Sequence, residues 1–329
     1  VRASAVEPLP VMFWIHGGGN TSGFKGYYDF STLVESQQVI VVAINYRLGP
    51  FGWFSHPVVQ KAAKGIDRGG NFGTLDIIQA LSWVQQNISE FGGDAKNVTL
   101  FGESAGGHNV FALLASPLSE GLFQKAISQS GYLKTNTVEE AINADDDYPR
   151  IRRSSSQLFA SMVDAGVLAD VSTKSAYDVA GNTLMEYYLE LNDQGDVPLT
   201  TADGIVISKE GMLAALADSS NAKDVPVIAG ANRDEVTLWM SRHRYFVNAD
   251  YLLTRWLPPR ITLRDPDLYA FWARIRSEAW KLRGVDEPLI AMEAAGYPDL
   301  YAYRFDWDDQ EISFFADFPH LIGAAHAID

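Results

Sequence analysis

The sequence predicts an α/β fold, a mostly parallel central sheet flanked by helices, on three observations. Short apolar runs such as Val39–Asn45 (VIVVAIN) are continuous rather than alternating, as in strands buried on both faces. After that run comes Leu75–Phe91, where Leu75, Ile78, Leu81, Trp83, Val84 and Ile88 recur at helical spacing. Strand and helix then keep alternating, and that rhythm builds parallel sheets.

Taken in order, Val11–Ile15 is the first strand and ends in glycines, and Val39–Asn45 is the second. The helix over Leu75–Phe91 stops at Gly92-Gly93. Val98–Phe101 and Ala126–Ser128 are further strands, with a helix-like stretch, Ala105–Ala115, between them. From about Thr135 to Ala222 the chain is richer in Asp, Ser and Asn, with amphipathic stretches near Ser154–Ala165 and Tyr177–Leu191. This reads as a mainly helical insertion at about 135–222. Val225–Ala231 (VPVIAGA) returns as a strand. A second helical segment at about 237–295 contains Leu268–Arg283 and Pro288–Ala295, and Leu300–Phe305 is one more strand. The whole of 1–329 reads as one large α/β domain with these excursions, a length that at about 100–200 residues per domain would also suit two.

Composition narrows the function classes. The 329 residues are 47% apolar and 20% charged, enough for a sizeable core. A net charge of −15 repels phosphate backbones and anionic lipid, so nucleic acid is disfavoured as a partner. The absence of cysteine removes disulfides, thiolate nucleophiles and Cys-type zinc sites together. No apolar run approaches the roughly 18 residues of a membrane span, and the start lacks the basic-then-apolar pattern of a signal peptide.

The strongest local signal is Gly102-Glu103-Ser104-Ala105-Gly106, a G-x-S-x-G that follows one strand and precedes a helix. A nucleophile elbow requires that context, and its glycines keep side chains from colliding across a strained turn. The helix start behind Ser104 offers N–H groups to a developing oxyanion. The second signal, His16-Gly17-Gly18-Gly19, ends the first strand, and its glycines let backbone N–H groups approach a ligand closely. Either motif alone could be a tight turn without a role; both in order, each after a strand, are much rarer.

A serine hydroxyl needs a base to take its proton, and the base needs an acid to hold its tautomer. In an elbow fold the expected chain order is Ser, then Asp or Glu, then His. Of the six histidines, His16 belongs to the glycine loop, His56 precedes the nucleophile and His108 lies four residues after it, leaving His243, His320 and His326. His326 follows the strand Leu300–Phe305 and sits among small residues in Gly323-Ala-Ala-His326, whereas His243 lies in a basic stretch that reads as a solvated face. For the acid, Asp234 and Glu235 both follow the strand Val225–Ala231, and periodicity does not choose between them.

Here the sequence resembles a known family, the type-B carboxylesterases of the cholinesterase and para-nitrobenzyl esterase kind, on the α/β-hydrolase fold. The matching stretches are PVMFWIHGGG (Pro10–Gly19), AINYRLGPFGW (Ala43–Trp53), GNFGTLD (Gly70–Asp76), ALSWVQQNISEFGGDAKNVTLFGESAGG (Ala80–Gly107), SQSG (Ser128–Gly131), GANRDE (Gly230–Glu235) and GAAH (Gly323–His326). The resemblance implies hydrolysis of a small-molecule carboxylic ester through an acyl-enzyme, with no metal or organic cofactor. It implies Ser104 as nucleophile, Glu235 rather than Asp234 as acid and His326 as base, with oxyanion donors on Gly18, Gly19 and Ala105. It places Glu103 beside the pocket and Ser130 as a hydrogen-bond partner of the acid and base, and it makes Arg47 and Asp94 a buried structural pair. Trp53, Phe54 and Trp239 are the aromatics nearest the motifs and are candidate walls of an acyl pocket.

The chain departs from the family pattern in four ways. Asn20 stands where an aromatic usually follows the glycine triplet, which implies a more polar pocket wall; Val236 and Ala327 stand where glycines commonly follow the acid and the base. If either glycine has φ > 0 in the family, the loop here must adjust. Against the family the chain also looks truncated at both ends, so the segment around His326 is expected to fray unless tied down. The alternatives to an active esterase are a non-catalytic, cholinesterase-like interaction module and an inactive truncated esterase. Asn20, Asn87 and Asn97 head glycosylation-type triplets, but a cysteine-free chain of this type is expected to be a bacterial cytoplasmic or secreted protein that leaves them unmodified.

Overall fold

The computed structural model describes residues 7–142, 154–172, 174–175, 181–191, 200–251, 258–310 and 312–327. Ten strands are found among them: β1 (Leu9–Ile15), β2 (Ile40–Ala43), β3 (Gly93–Glu103), β4 (Lys125–Gln129), β5 (Asn136–Thr137), β6 (Thr201–Ala202), β7 (Val227–Asn232), β8 (Val247–Asp250), β9 (Arg260–Leu263) and β10 (Leu300–Phe305). The longer helices are α1 (Phe72–Asn87), α2 (Ala105–Ala115), α3 (Ser155–Asp164), α4 (Gly181–Leu191), α5 (Pro266–Lys281) and α6 (Glu287–Ala295). Residues 177–180 of the expected amphipathic stretch lie outside the described residues.

Six strands form one sheet in the order β10-β7-β4-β3-β1-β2, and every neighbouring pair is parallel. Val11–Trp14 of β1 pair with Ile40–Ala43 on one side and with Val98–Phe101 on the other. The apolar runs that predicted strands are therefore the paired residues themselves. Chain order turns back between β1 and β3, because β2 lies outside β1 and everything later lies beyond β3. The crevice at the carboxyl ends of such neighbours is where ligands bind in open parallel sheets.

The helices cover the sheet as their sequences require. Helix α1 turns Ile77, Leu81 and Val84 to the core at helical spacing, and Gly92 beyond it adopts a left-handed φ of 81° that ends the helical run. Helix α2 is buried along its whole length, so it presents no face to solvent. One apolar cluster runs through Val11, Phe13, Leu100, Phe111, Leu114, Val227 and Met292, and the strand register puts its β1, β3 and β7 residues on one face of the sheet. Among the described residues, no helix is long and apolar enough to cross a membrane.

Two details differ from the sequence expectation. The segment at about 237–295 is not wholly helical, because β8 and β9 form an antiparallel ribbon within it. The insertion at about 135–222 likewise holds a short parallel pairing of β5 with β6. The β6 segment is clamped from outside: the Asn71 amide donates to the Thr201 carbonyl at 2.8 Å and accepts from the Thr201 N–H at 2.8 Å.

Candidate active site

Strand β3 delivers Ser104 to the crevice. Ser104 has φ 57° and ψ −119°, a conformation that costs a non-glycine residue on the order of 1–3 kcal/mol and persists only where its surroundings hold it. Its N–H donates to the Gln129 carbonyl and its carbonyl accepts from the His108 N–H, both at 2.9 Å. A Cβ on Gly102 would stand 2.7 Å from the Gly106 carbonyl, one on Gly106 would overlap the Ile15 carbonyl, and one on Gly107 would stand 2.8 Å from Gly131 Cα. The glycines of the motif are thus steric necessities. From Phe101 to Ala115 every residue is buried except Ser104, so the turn opens only at that residue. Ala105, the first residue of α2, lies at a helix start whose N–H groups have no partner within the helix.

The loop after β1 packs directly on this turn. A Cβ on Gly17 would lie 2.8 Å from both the carbonyl and the carboxylate of Glu103 and 3.1 Å from Ser104 Cβ. Gly18 and Gly19 have φ of 103° and 63°, left-handed values that favour glycine. His16 is an interior residue, its ring stacked on Tyr46 at 4.5 Å and its pKa pushed down by burial. Asn20 does not form the expected polar wall. It is fully buried, and its side-chain oxygen accepts from the Asn109 amide at 3.0 Å.

The two adjacent acids after β7 part company. Asp234 accepts from Arg233 at 2.8 Å and from the Ala324 N–H at 3.1 Å. Glu235, fully buried, accepts from the Asn232 N–H at 2.7 Å and lies 2.6 Å from His326 Nδ1. The main chain adds a bond from the His326 N–H to the Glu235 carbonyl at 3.2 Å, and the Asn232 amide donates to the Ala325 carbonyl at 2.5 Å. These bonds tie down the segment that was expected to fray. The other ring nitrogen of His326 lies 3.3 Å from Glu103 Oε1, so the imidazole stands between two carboxylates. His243 is exposed, and His320, also exposed, pairs with Asp317 at 3.0 Å.

The remaining expected residues divide. Trp239 reaches the site, its indole 4.9 Å from the His326 ring. Ser130 is fully buried with φ 47°, its N–H on the Gly230 carbonyl at 2.8 Å, which places it between β4 and β7 beneath the acid loop. Trp53 is a core residue whose indole N–H donates to Thr74 at 3.3 Å, and Phe54 packs on Phe159 in a separate cluster. Neither is brought to Ser104 by any contact described. Arg47 pairs with Asp76 at 2.7 Å at a half-exposed position rather than with Asp94, whose carboxylate accepts instead from the Lys96 N–H. Two residues escaped the sequence reading. Tyr28 lies where burial and the Glu103 carboxylate both push its phenol pKa up, and Trp280 of α5 sits 4.9 Å from His326. Neither belongs to a motif, and an aromatic on an amphipathic helix such as α5 gives no sign of which loop it meets.

Residues 2–250 match the carboxylesterase family model. The chain belongs to the carboxylesterase family. It is 35% identical over 312 residues to the para-nitrobenzyl esterase of Bacillus subtilis (strain 168), covering 91% of this chain and 60% of that protein. To carboxylesterase 1E of Mus musculus it is 39% identical over 242 residues, covering 70% of this chain and 40% of the relative. Among solved structures, a PNB esterase superposes with a TM-score of 0.72 at 27% identity over 98% of this chain and 64% of that one. The Geobacillus stearothermophilus carboxylesterase EST55 gives 0.70 at 26% identity over 95% of this chain and 65% of that one. The fold is therefore that of the α/β hydrolases, and the chain spans about 60% of the length of the para-nitrobenzyl esterase it resembles.

Proposed function

We propose that this carboxylesterase-family chain hydrolyses small-molecule carboxylic esters through an acyl-enzyme. The observation that carries the reading is the 2.6 Å bond between His326 Nδ1 and buried Glu235, formed beside the strained Ser104 turn. His326 takes the Ser104 proton, and Ser104 Oγ attacks the ester carbonyl. The oxyanion is held by N–H groups of Gly18, Gly19 and Ala105, which the left-handed glycines and the α2 start present to it. The protonated imidazole then gives its proton to the leaving alcohol. Water repeats the cycle against the acyl-serine and releases the acid. Glu235 fixes the tautomer and stabilises the imidazolium. Ser130 lies between β4 and β7, bonded to Gly230, and the Glu103 carboxylate faces the second ring nitrogen of His326.

The test is hydrolysis of a short-chain aryl ester by the parent chain beside Ser104→Ala and Glu235→Gln, with melting curves for all three. Ser104→Ala is expected to lose on the order of 10⁴-fold or more in kcat, and Glu235→Gln about 10³–10⁴-fold, without loss of the cooperative melt. Turnover that survives in a folded Ser104→Ala protein overturns the reading.

A further inference from the structure

The His326 ring is walled by two indoles that the proposed chemistry has not used. Ring centroids of Trp239 and Trp280 each lie 4.9 Å from the imidazole centroid, and the two indoles stack on each other at 5.6 Å. Both distances fall inside the roughly 6 Å reach of a cation–π contact. The Trp280 ring is fixed from two sides: its N–H donates to the Ser130 carbonyl at 3.1 Å, and the Tyr132 ring meets it edge-on at 6.0 Å. Just beyond it, α5 passes into a π turn, Leu282–Asp286, where Gly284 lies against the Gly131 carbonyl so closely that no Cβ fits. Placement of that indole is therefore built into the helix.

We propose that Trp280, together with Trp239, is a positioning residue for His326, holding the ring in place and stabilising its protonated form. The inference rests on the reading of His326 as the general base. An imidazolium forms in each half of that cycle, so a π face that binds the cation better than the neutral ring lowers both barriers. The charged groups facing His326 are Glu235 from the turn after β7 and Glu103 from the end of β3. Asp234 is engaged by Arg233 and Ala324, Lys281 next to Trp280 by Asp286, and His320 by Asp317, while the Tyr28 phenol faces Glu103.

The test is an NMR titration of imidazole-labelled protein, with the His326 resonance identified by its absence in His326→Gln. Two effects of the indoles oppose each other. Burial by an indole lowers a histidine pKa, whereas a cation–π contact raises it. Leucine keeps the burial and removes the π face, so Trp280→Leu is expected to lower the His326 pKa by about 0.5–1 unit, and Trp280→Phe by less. Trp239→Leu, at a position 47% exposed and so tolerant of replacement, is expected to shift it the same way and carries the test if Trp280→Leu does not fold. With an aryl ester, the acid limb of kcat/KM should move down in parallel. An unchanged or raised His326 pKa in the folded leucine variants overturns the proposal. The titration needs no turnover, so absence of esterase activity would refute ester hydrolysis and still leave the indole effect measured.

Discussion

At the scale of single residues, the two positions where the family commonly has glycine behave in opposite ways. Val236 has φ −83° and is buried, whereas Ala327 has φ 65°. A left-handed backbone costs a residue with a Cβ about 1–2 kcal/mol, part of which glycine gives back in chain entropy. Ala327→Gly is expected to raise unfolding stability by about 0.5–1 kcal/mol. Val236→Gly is expected to lower it by about 2–3 kcal/mol, from lost burial and added backbone freedom. Urea unfolding of both variants checks the pair, and equal signs would refute the assignment of strain. In the sequence the two departures look alike, because a backbone angle is set by tertiary contacts that no single residue type announces. The same limit applies to Asp234 and Glu235. Both are acids one position apart, and only the direction each carboxylate takes from the turn sends Glu235 to His326 and Asp234 to Arg233. Arg47 shows the converse, since its sequence context names a cation and not which of several acids will meet it.

At the scale of elements, legibility followed apolar density. Strands β1 and β7 were readable because strands largely covered by the fold are apolar nearly throughout, and β2, β3, β4 and β10 because each still carries a short apolar or aromatic run. Strands β8 and β9 were not, because VNAD and RITL are four-residue segments with polar side chains and no run to detect. The elbow was readable for a different reason: its glycines are imposed by contacts between β1, β3 and α2 that any chain making this turn has to accommodate. The π turn at Leu282–Asp286 follows from no local pattern. Gly284→Ala tests its importance: a methyl group there meets the Gly131 carbonyl, so the turn must move away from the Ser130 loop. A loss of about 2–4 kcal/mol in stability is expected, with a change in indole fluorescence as Trp280 leaves Ser130. A variant with unchanged melting and fluorescence would show the approach to be tolerant.

For the whole molecule, buried histidines contribute to how stability responds to acid. His108 is fully buried, with its ring nitrogens 3.0 Å from the Tyr132 carbonyl and 2.9 Å from the Thr200 hydroxyl. Burial pushes its pKa from 6.5 down to about 4, and burial lowers His16 and His56 as well. Between those two pH values the unfolded chain binds a proton that the folded chain refuses. Stability from His108 is thus complete above pH 6.5 and is lost as the pH falls toward 4, by an amount on the order of 2–4 kcal/mol. His16 and His56 add to the loss. Melting temperature measured from pH 7.5 to pH 5 should fall more steeply in the parent than in His108→Gln, which lacks that proton uptake. Equal slopes would contradict this account.

The strand order has a consequence for synthesis. Ser104 follows the central strand β3, whereas Glu235 and His326 follow β7 and β10 toward one edge of the sheet. His326 follows Ser104 by 222 positions, so at about 5–20 residues per second a ribosome takes on the order of 10–40 s to reach it. If Ser104 and His326 act as proposed, the nascent chain carries Ser104 without its base throughout that interval. On the proposed reading, the site closes only once β10 and the segment after it have docked on the sheet.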